Sequence, residues 1–236
     1  MIKSFISKKG FTLAEVLITL GIIGVVAAMT LPTLLTNTQK TALAVATKRF
    51  HSIVSNAVQL YMADENTDDL RNSELCARDD GSNWVETQAA TDNFVRKYFN
   101  VVQECDSNNA DKCFAANYRN YKANGQTYPS KWLVSGKAFI LADGTVLTIQ
   151  AGGQQLPPVT VYVDVNGRKG PNVMGYDLWS MSIFYDGTVD ESGATPEARK
   201  AGTASEYREA RFRDSCQNNY GGCFGHFLNN GYKFDY

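Results

Sequence analysis

Residues 8–35 read KKGFTLAEVLITLGIIGVVAAMTLPTLL, and the architecture of the chain follows from them. From Phe11 to Leu35 the only charge is Glu15, and the bases Lys3, Lys8 and Lys9 precede the run with no acid among them. The run is 25 residues long; as a helix it rises about 38 Å at roughly 1.5 Å per residue, more than a hydrocarbon core about 30 Å thick. The basic flank stays cytoplasmic, which puts the rest of the chain outside. The expectation is a single-pass membrane helix carrying an extracytoplasmic head.

An ordinary secretory signal fits poorly, because its apolar core spans about 7–15 residues and ends at a small-residue cleavage site. Here Ala27 and Ala28 are followed by Met29-Thr30-Leu31, and the change of character falls before the run, at Gly10/Phe11. A plain signal anchor is the other simple reading, and Glu15 argues against it. A carboxylate at the centre of a membrane helix costs about 2.5–3.5 kcal/mol on insertion scales. Glu15 is close to the start of the run, so snorkelling lowers that cost. A dedicated cation would remove it, and the segment supplies none. Cleavage after Gly10 would give Phe11 a free amine, which on a neighbouring copy can neutralise Glu15 within lipid.

Gly10-Phe11-Thr12-Leu13-Ala14-Glu15, behind a short basic leader, resembles the prepilin motif of type IV pilins and type II secretion pseudopilins. The resemblance covers about Lys8 to Leu35. It implies cleavage after Gly10 by a membrane prepilin peptidase, N-methylation of Phe11 by the same enzyme, and pairing of Glu15 with the amine of an adjacent subunit during filament assembly. It also implies an inner-membrane precursor, a cell-surface or periplasmic filament, and partners that are copies of the chain, other pilins and the assembly machinery. Gly24 and Pro32 fall where the family's helices loosen in the filament. Pro32 on its own chemistry removes an i→i−4 hydrogen bond and kinks or opens a helix; equally, it can end the span.

Beyond the run, Ala42, Ala46, Phe50, Ile53, Ala57, Leu60 and Tyr61 recur at threes and fours, the period of a helix with one packed stripe. A coiled coil would need more heptads than this segment offers. The resulting expectation is an α+β protein. Residues 1–10 form a leader, and 11–63 one long helix, with 11–35 in the membrane or filament core and 36–63 amphipathic. The head spans 64–236. In it Asp92 is a candidate N-cap for a short helix over 92–99. Ala138–Ala142 and Thr145–Ile149 flank Asp143-Gly144, a two-residue hairpin turn. Val159, Val161, Val163 and Val165 alternate with Thr160, Tyr162 and Asp164, so one face of that strand is buried. Trp179–Tyr185 reads as a further strand turning at Asp186-Gly187. Together they predict a small antiparallel sheet of three or four strands laid on the long helix, as the resemblance also implies. Ser192–Ser205, rich in small and charged residues, reads as a mobile loop, and the aromatic carboxyl-terminal stretch as a last strand or short helix.

The 236 residues carry 23 Lys+Arg against 24 Asp+Glu, a formal charge of −1. Loss of the leader removes three lysines and leaves −4, from −1 minus +3. A general nucleic-acid binder is far more basic, so that class is disfavoured. GxSxG, P-loop, GxGxxG and HExxH motifs are absent, and the two histidines, His51 and His226, form no pair suited to catalysis. The chain does not read as an enzyme; a signal-anchored extracytoplasmic binding module is the alternative to a filament subunit.

Five cysteines, Cys76, Cys105, Cys113, Cys216 and Cys223, all follow the membrane run, in a compartment where disulfides persist. Local spacing favours Cys105–Cys113 and Cys216–Cys223 and leaves Cys76 over, although Cys76 can also reach for Cys105 or Cys113. Zinc is disfavoured, because no CxxC exists and the histidines are not suitably spaced. The most distinctive stretch of the head runs from Asp164 to Asp177. There Asp164, Asn166, Asn172 and Asp177, separated by glycines, can converge on one hard cation such as calcium, without EF-hand spacing. The same residues also serve as paired turns, with Asn and Asp capping their own backbone and Gly at positive φ. A similar segment occurs in many bacterial pilin-like proteins, and calcium loops occur in some pseudopilins; the resemblance supports a structural role.

Overall fold

A computed structural model describes residues 13–76, 84–122, 127–152, 159–217 and 221–236, with backbone alone at 24, 27–35 and 84–86. Gly10 and Phe11 lie outside the described residues. The chain divides into two compact units, Met1–Thr41 and Ala42–Tyr236.

The described part of the first unit is helix. It belongs to α1, Leu13–Asp64, whose 52 residues are helical without a break. The helical backbone continues through position 32, so the proline does not end the helix.

In the second unit, α1 buries Leu43, Thr47, Phe50, Val54, Ala57, Val58 and Tyr61. Phe50, Ala57 and Tyr61 are common to this stripe and the expected one, and Ala46 and Ile53 pack half-buried against the core. The stripe is shifted towards the next row at its ends, where Ala42 is exposed and Leu60 is 58% exposed. Both rows satisfy helical spacing, and the packed one contains the branched side chains that interdigitate with the head. Thr47 is admitted to it because its hydroxyl donates to Leu43 O at 2.8 Å, which satisfies the buried group locally.

The helix is followed by a mixed sheet, not the small antiparallel one expected. Its strands are β1 (Val101–Asp106), β2 (Asn117–Asn120), β3 (Thr127–Pro129), β4 (Lys137–Leu141), β5 (Val146–Ala151), β6 (Val159–Asp164), β7 (Val173–Met174), β8 (Leu178–Ile183) and β9 (Val189–Asp190). The order is β1-β4-β5-β6-β8-β7-β2-β3, with β9 pairing β8 off that path. The antiparallel centre β4–β5–β6–β8 comes from the four segments read as strands in the sequence, of which β6 alternates. The parallel pairs β2–β7 and β7–β8 come from strands of four and two residues, too short to show a period. The hairpin closes with a three-residue loop, Ala142–Gly144, in place of the two-residue turn expected: Gly144 N donates to Leu141 O at 2.9 Å and Leu141 N to Thr145 O at 2.8 Å. Gly144 alone is in the left-handed region, at φ +87°, and Asp143 Oδ1 accepts from Thr145 N at 3.1 Å, a type I turn followed by a left-handed glycine.

Two further expectations are corrected. Helix α2 is Trp84–Tyr98, so Asp92 sits in its middle rather than at its N-cap. It is buried and its Oδ1 accepts from Lys137 N at 3.3 Å, which binds the helix to the start of β4. Ser192–Ser205 is ordered, not a loose loop. Thr195 caps α3 (Pro196–Lys200) by accepting from Ala198 N, with Pro196 in the first turn, the position proline tolerates. Helices α4 (Ala204–Arg211) and α5 (Phe224–Asn229) complete the head. Small residues with a cap and a proline had the composition of a loop and the wiring of a helix start. The core closes on Trp179, Phe224 and Phe227, all fully buried.

Candidate functional site

Two regions hold the residues singled out by the sequence. The first is the start of α1. Glu15 lies in its first turn and is exposed; an acid there is favoured by the positive end of the helix dipole. Thr19 donates its hydroxyl to backbone oxygens at residues 15 and 16, at 2.9 Å each. Nine described apolar side chains between Leu13 and Val26 are exposed, from 42% at Val16 to 78% at Leu13. A Cβ placed on Gly21 would meet nothing within 4 Å, so no contact inside the chain asks for a glycine there, although glycine in a helix costs roughly 0.5–1 kcal/mol relative to alanine. Among the described residues no helix is long and apolar enough to cross a membrane; the side chains of 27–35, the second part of the apolar run, lie outside that description.

The second region is the turn between β6 and β8. Asp164 and Asp177 are completely buried. Tyr118, on β2, donates to Asp164 Oδ2 at 2.5 Å, and Asn166 N donates to Asp164 Oδ1 at 3.1 Å. Asp177 accepts from the backbone amides of Asn172 and Val173 at 2.7 Å each. Burial, and next the charge of Asp177, push the Asp164 carboxyl up to about 8. Burial raises Asp177 to about 6. Two further oxygens of this turn, Asn166 Oδ1 and Asn172 Oδ1, are buried with no hydrogen-bond partner, and such atoms are few in folded proteins. Gly167 at φ +67° and Asn172 at φ +56° give the turn its left-handed corners. All four expected residues therefore lie in one turn, bound to its backbone. Among the described residues, no three His, Cys, Asp or Glu side chains group as a metal site, so any cation here would rest on two carboxylates and amide or backbone oxygens.

Disulfides join Cys105 to Cys113 and Cys216 to Cys223. Cys76 is buried and belongs to neither bridge. The second bridge borders the polar turn, because Cys223 Sγ lies 3.0 Å from where a Cβ on Gly175 would be. Asn120 Nδ2, beside Tyr118, donates to Cys216 O at 2.7 Å.

His51 is structural. Its Nε2 lies 3.0 Å from Val189 O and its Nδ1 2.7 Å from Tyr232 Oη. A carbonyl only accepts, so Nε2 carries the proton and Nδ1 accepts from the tyrosine, a neutral imidazole with both nitrogens satisfied. Burial lowers its pKa. Sequence reading missed three groups: Tyr118, the Asp190–Arg208 pair at 2.5 Å, and buried Glu191, which accepts from Ser192 N and Gly225 N. None belongs to a local motif, and their partners are 18 to 46 residues distant for Arg208, Gly225 and Asp164.

Residues 6–31 match the family model described as the prokaryotic N-terminal methylation motif, the hallmark of type IV pilins and pseudopilins. No curated protein and no solved structure matches the chain.

Proposed function

We propose that the chain is a structural subunit of a type IV pilus or a type II secretion pseudopilus. It is made as an inner-membrane precursor whose run 11–35 spans the bilayer, is cleaved between Gly10 and Phe11, is methylated at the Phe11 amine, and assembles through its first helix. The observation that carries this reading is the exposed apolar start of α1 directly inside a methylation motif. Nine Leu, Ile and Val side chains are open there, 42–78% exposed; burying a fully exposed one is worth about 1.5–3 kcal/mol, so the area still open represents on the order of 10–15 kcal/mol of driving force. An apolar patch of that size calls for lipid or protein cover. Gly21, which has open space around its Cα among the described residues, suits close approach of a second helix.

The amine of Phe11 would meet Glu15 of an adjacent copy, which removes the cost of a bare carboxylate in lipid and sets the register of neighbouring helices. Assembly is thus the mechanism, and the motif's family is structural rather than enzymatic. For the head, we propose that Asp164, Asn166, Asn172 and Asp177 hold a hard cation such as calcium. The two partnerless amide oxygens beside two buried carboxylates with no cation near them among the described residues are an oxygen set of the kind such ions take. The filament reading is tested by shearing cells that express the chain. Filaments containing it, lost in a strain without prepilin peptidase, are expected. A chain that stays anchored and unpolymerised in both strains would leave the extracytoplasmic binding module.

A further inference from the structure

The two ends of strand β8 carry opposite, unpaired charge. At its Leu178 end β8 pairs with Asp164, and at its Ile183 end with Val159. The turn that follows β6 is therefore at one end, and the turn 184–188 at the other. Six residues separate them along β8, about 17–20 Å at roughly 3.3 Å per residue.

At the Ile183 end sits the segment after α1. Leu70 N donates to Tyr185 O at 2.8 Å, and the Arg71 guanidinium stacks 4.1 Å from the Tyr185 ring. Glu65, Asp68 and Glu74 are exposed here, and Glu65 and Glu74 both act on the same Tyr61. The nearby bases are already committed: Arg71 to Asp69, Lys97 to Asp64 and Arg199 to Asp186. The last turn of α1 contains no base, although the negative end of a helix dipole favours one. The acids thus stand where local electrostatics opposes them.

At the Leu178 end, Arg168 and Lys169 are exposed in the turn after β6. Arg119 is exposed on β2, its backbone N bonded to Asn172 O at 3.0 Å. None of the three makes an ion pair among the described residues. The acids at this end are buried or engaged: Asp164 and Asp177 have no accessible surface, Asp143 in the hairpin beside Gly167 is 3.6 Å from Arg49, and Asp235 bonds His226 at 2.9 Å.

We infer that these ends meet between copies of the chain, with Glu65, Asp68 and Glu74 of one head against Arg119, Arg168 and Lys169 of the next. The inference rests on the filament reading. A symmetric pairing would oppose like charges, whereas a head-to-tail pairing matches them. Such a contact uses two different surfaces of one subunit, so it does not end at a dimer and continues as an open helix wherever its rotation does not close a ring. Charge complementarity between heads suppresses wrong partners and fixes their orientation, in addition to the register that Glu15 sets between helices.

The test uses the full chain in cells and reads the yield of sheared filaments against the amount of subunit in the membrane. Each exposed ion pair contributes roughly twofold to fivefold, so Arg168→Glu with Lys169→Glu is expected to lower yield by about tenfold or more. Glu65→Lys with Asp68→Lys should do the same, and the four together should restore yield to within about twofold of the wild type. Asp68→Cys with Lys169→Cys should give a reducible ladder of dimers, trimers and longer species. Wild-type filaments with undiminished yield from either reversal, no rescue in the combination, or no ladder overturn the contact and leave the filament reading standing. A loss confined to the basic end overturns it too, and assigns that end to an acidic partner other than this chain. A wild-type chain that forms no filament removes the reading and the contact together.

Discussion

At the residue scale, Glu15 separates assembly from anchoring. Glu15→Gln keeps the size and polarity of the side chain and removes its charge. If that charge answers the Phe11 amine of a neighbour, the loss approaches the insertion cost of about 2.5–3.5 kcal/mol, so sheared filaments should fall by at least about tenfold while membrane-held subunit stays constant. Normal filament yield from Glu15→Gln and Glu15→Ala would end the proposed pairing. His51 makes a different kind of prediction. Burial depresses its folded pKa below 6.5, so the unfolded chain takes the proton more readily. Its stabilising contribution is complete above pH 6.5 and is lost as pH falls from there towards the folded value. Other buried acids, Glu191 among them, shift upward and work in the opposite sense, so the comparison must be differential. His51→Gln should lower Tm by about 2–8 °C at pH 7.5, the worth of one or two hydrogen bonds, and the gap from wild type should narrow by pH 5.5. A gap that is constant or widens would contradict the neutral, doubly bonded imidazole. The cation is tested by Tm at pH 7.5 with millimolar calcium and then with chelator. Calcium should raise Tm in the wild type and leave Asp164→Asn with Asp177→Asn unmoved; no response to chelator in the wild type reduces the four residues to turn formers.

Elements differ in how much each bridge secures. The two disulfides span similar separations, 8 and 7 residues, so constraint of the unfolded chain predicts about 2–3 kcal/mol for each. Their native surroundings are unequal. All four cysteines are buried, but Cys223 lies against Gly175 and leads into Phe224 of the core, whereas Cys105 lies on edge strand β1. Removing both sulfurs as Cys216→Ala with Cys223→Ala should therefore cost more than Cys105→Ala with Cys113→Ala, and equal losses of Tm would mean that loop closure alone sets the effect. The same contrast explains what was legible in the sequence. The long helix, the Asp143-Gly144 hairpin and the alternation of Val159–Val163 are signals within one element, and each stands where its local chemistry points. The shift of the α1 stripe at its ends, the two-residue β7 with its parallel neighbours, and Asp92 in mid-helix depend on partners far along the chain. Tyr118 is the clearest case in the site: nothing around it announces that its hydroxyl meets a carboxylate 46 residues later. Asp164, Asn166, Asn172 and Asp177 could be grouped in advance because a turn keeps them together, whereas the donors that surround them come from the sheet.

The two compact units differ in kind: the described part of the first is an apolar helix start, and the second has its own core. The described apolar side chains of 13–26 are largely exposed, while 42–236 closes around Trp179, Phe114 and Phe139, all with no accessible surface to speak of. Burying apolar area is the main driving force of folding, and in the proposed scheme lipid first, and neighbouring helices later, cover the start of α1. A switch between these two covers needs an event that marks the subunit as ready, and cleavage at Gly10 is suited to it. It removes Lys3, Lys8 and Lys9, which hold the leader at the cytoplasmic face, and it creates the one cation able to answer Glu15. Intact mass and N-terminal sequence of the protein from membranes and from the sheared surface fraction therefore test the whole scheme. The surface form should begin at Phe11 with a methylated amine, and membranes should hold both precursor and processed chain. A chain beginning at Met1 in every fraction would return Glu15 to the role of an interfacial charge on a plain anchor. A start beyond Ala28 would make the apolar run a secretory signal and the head a soluble protein, and filament assembly would then have no helix to proceed through.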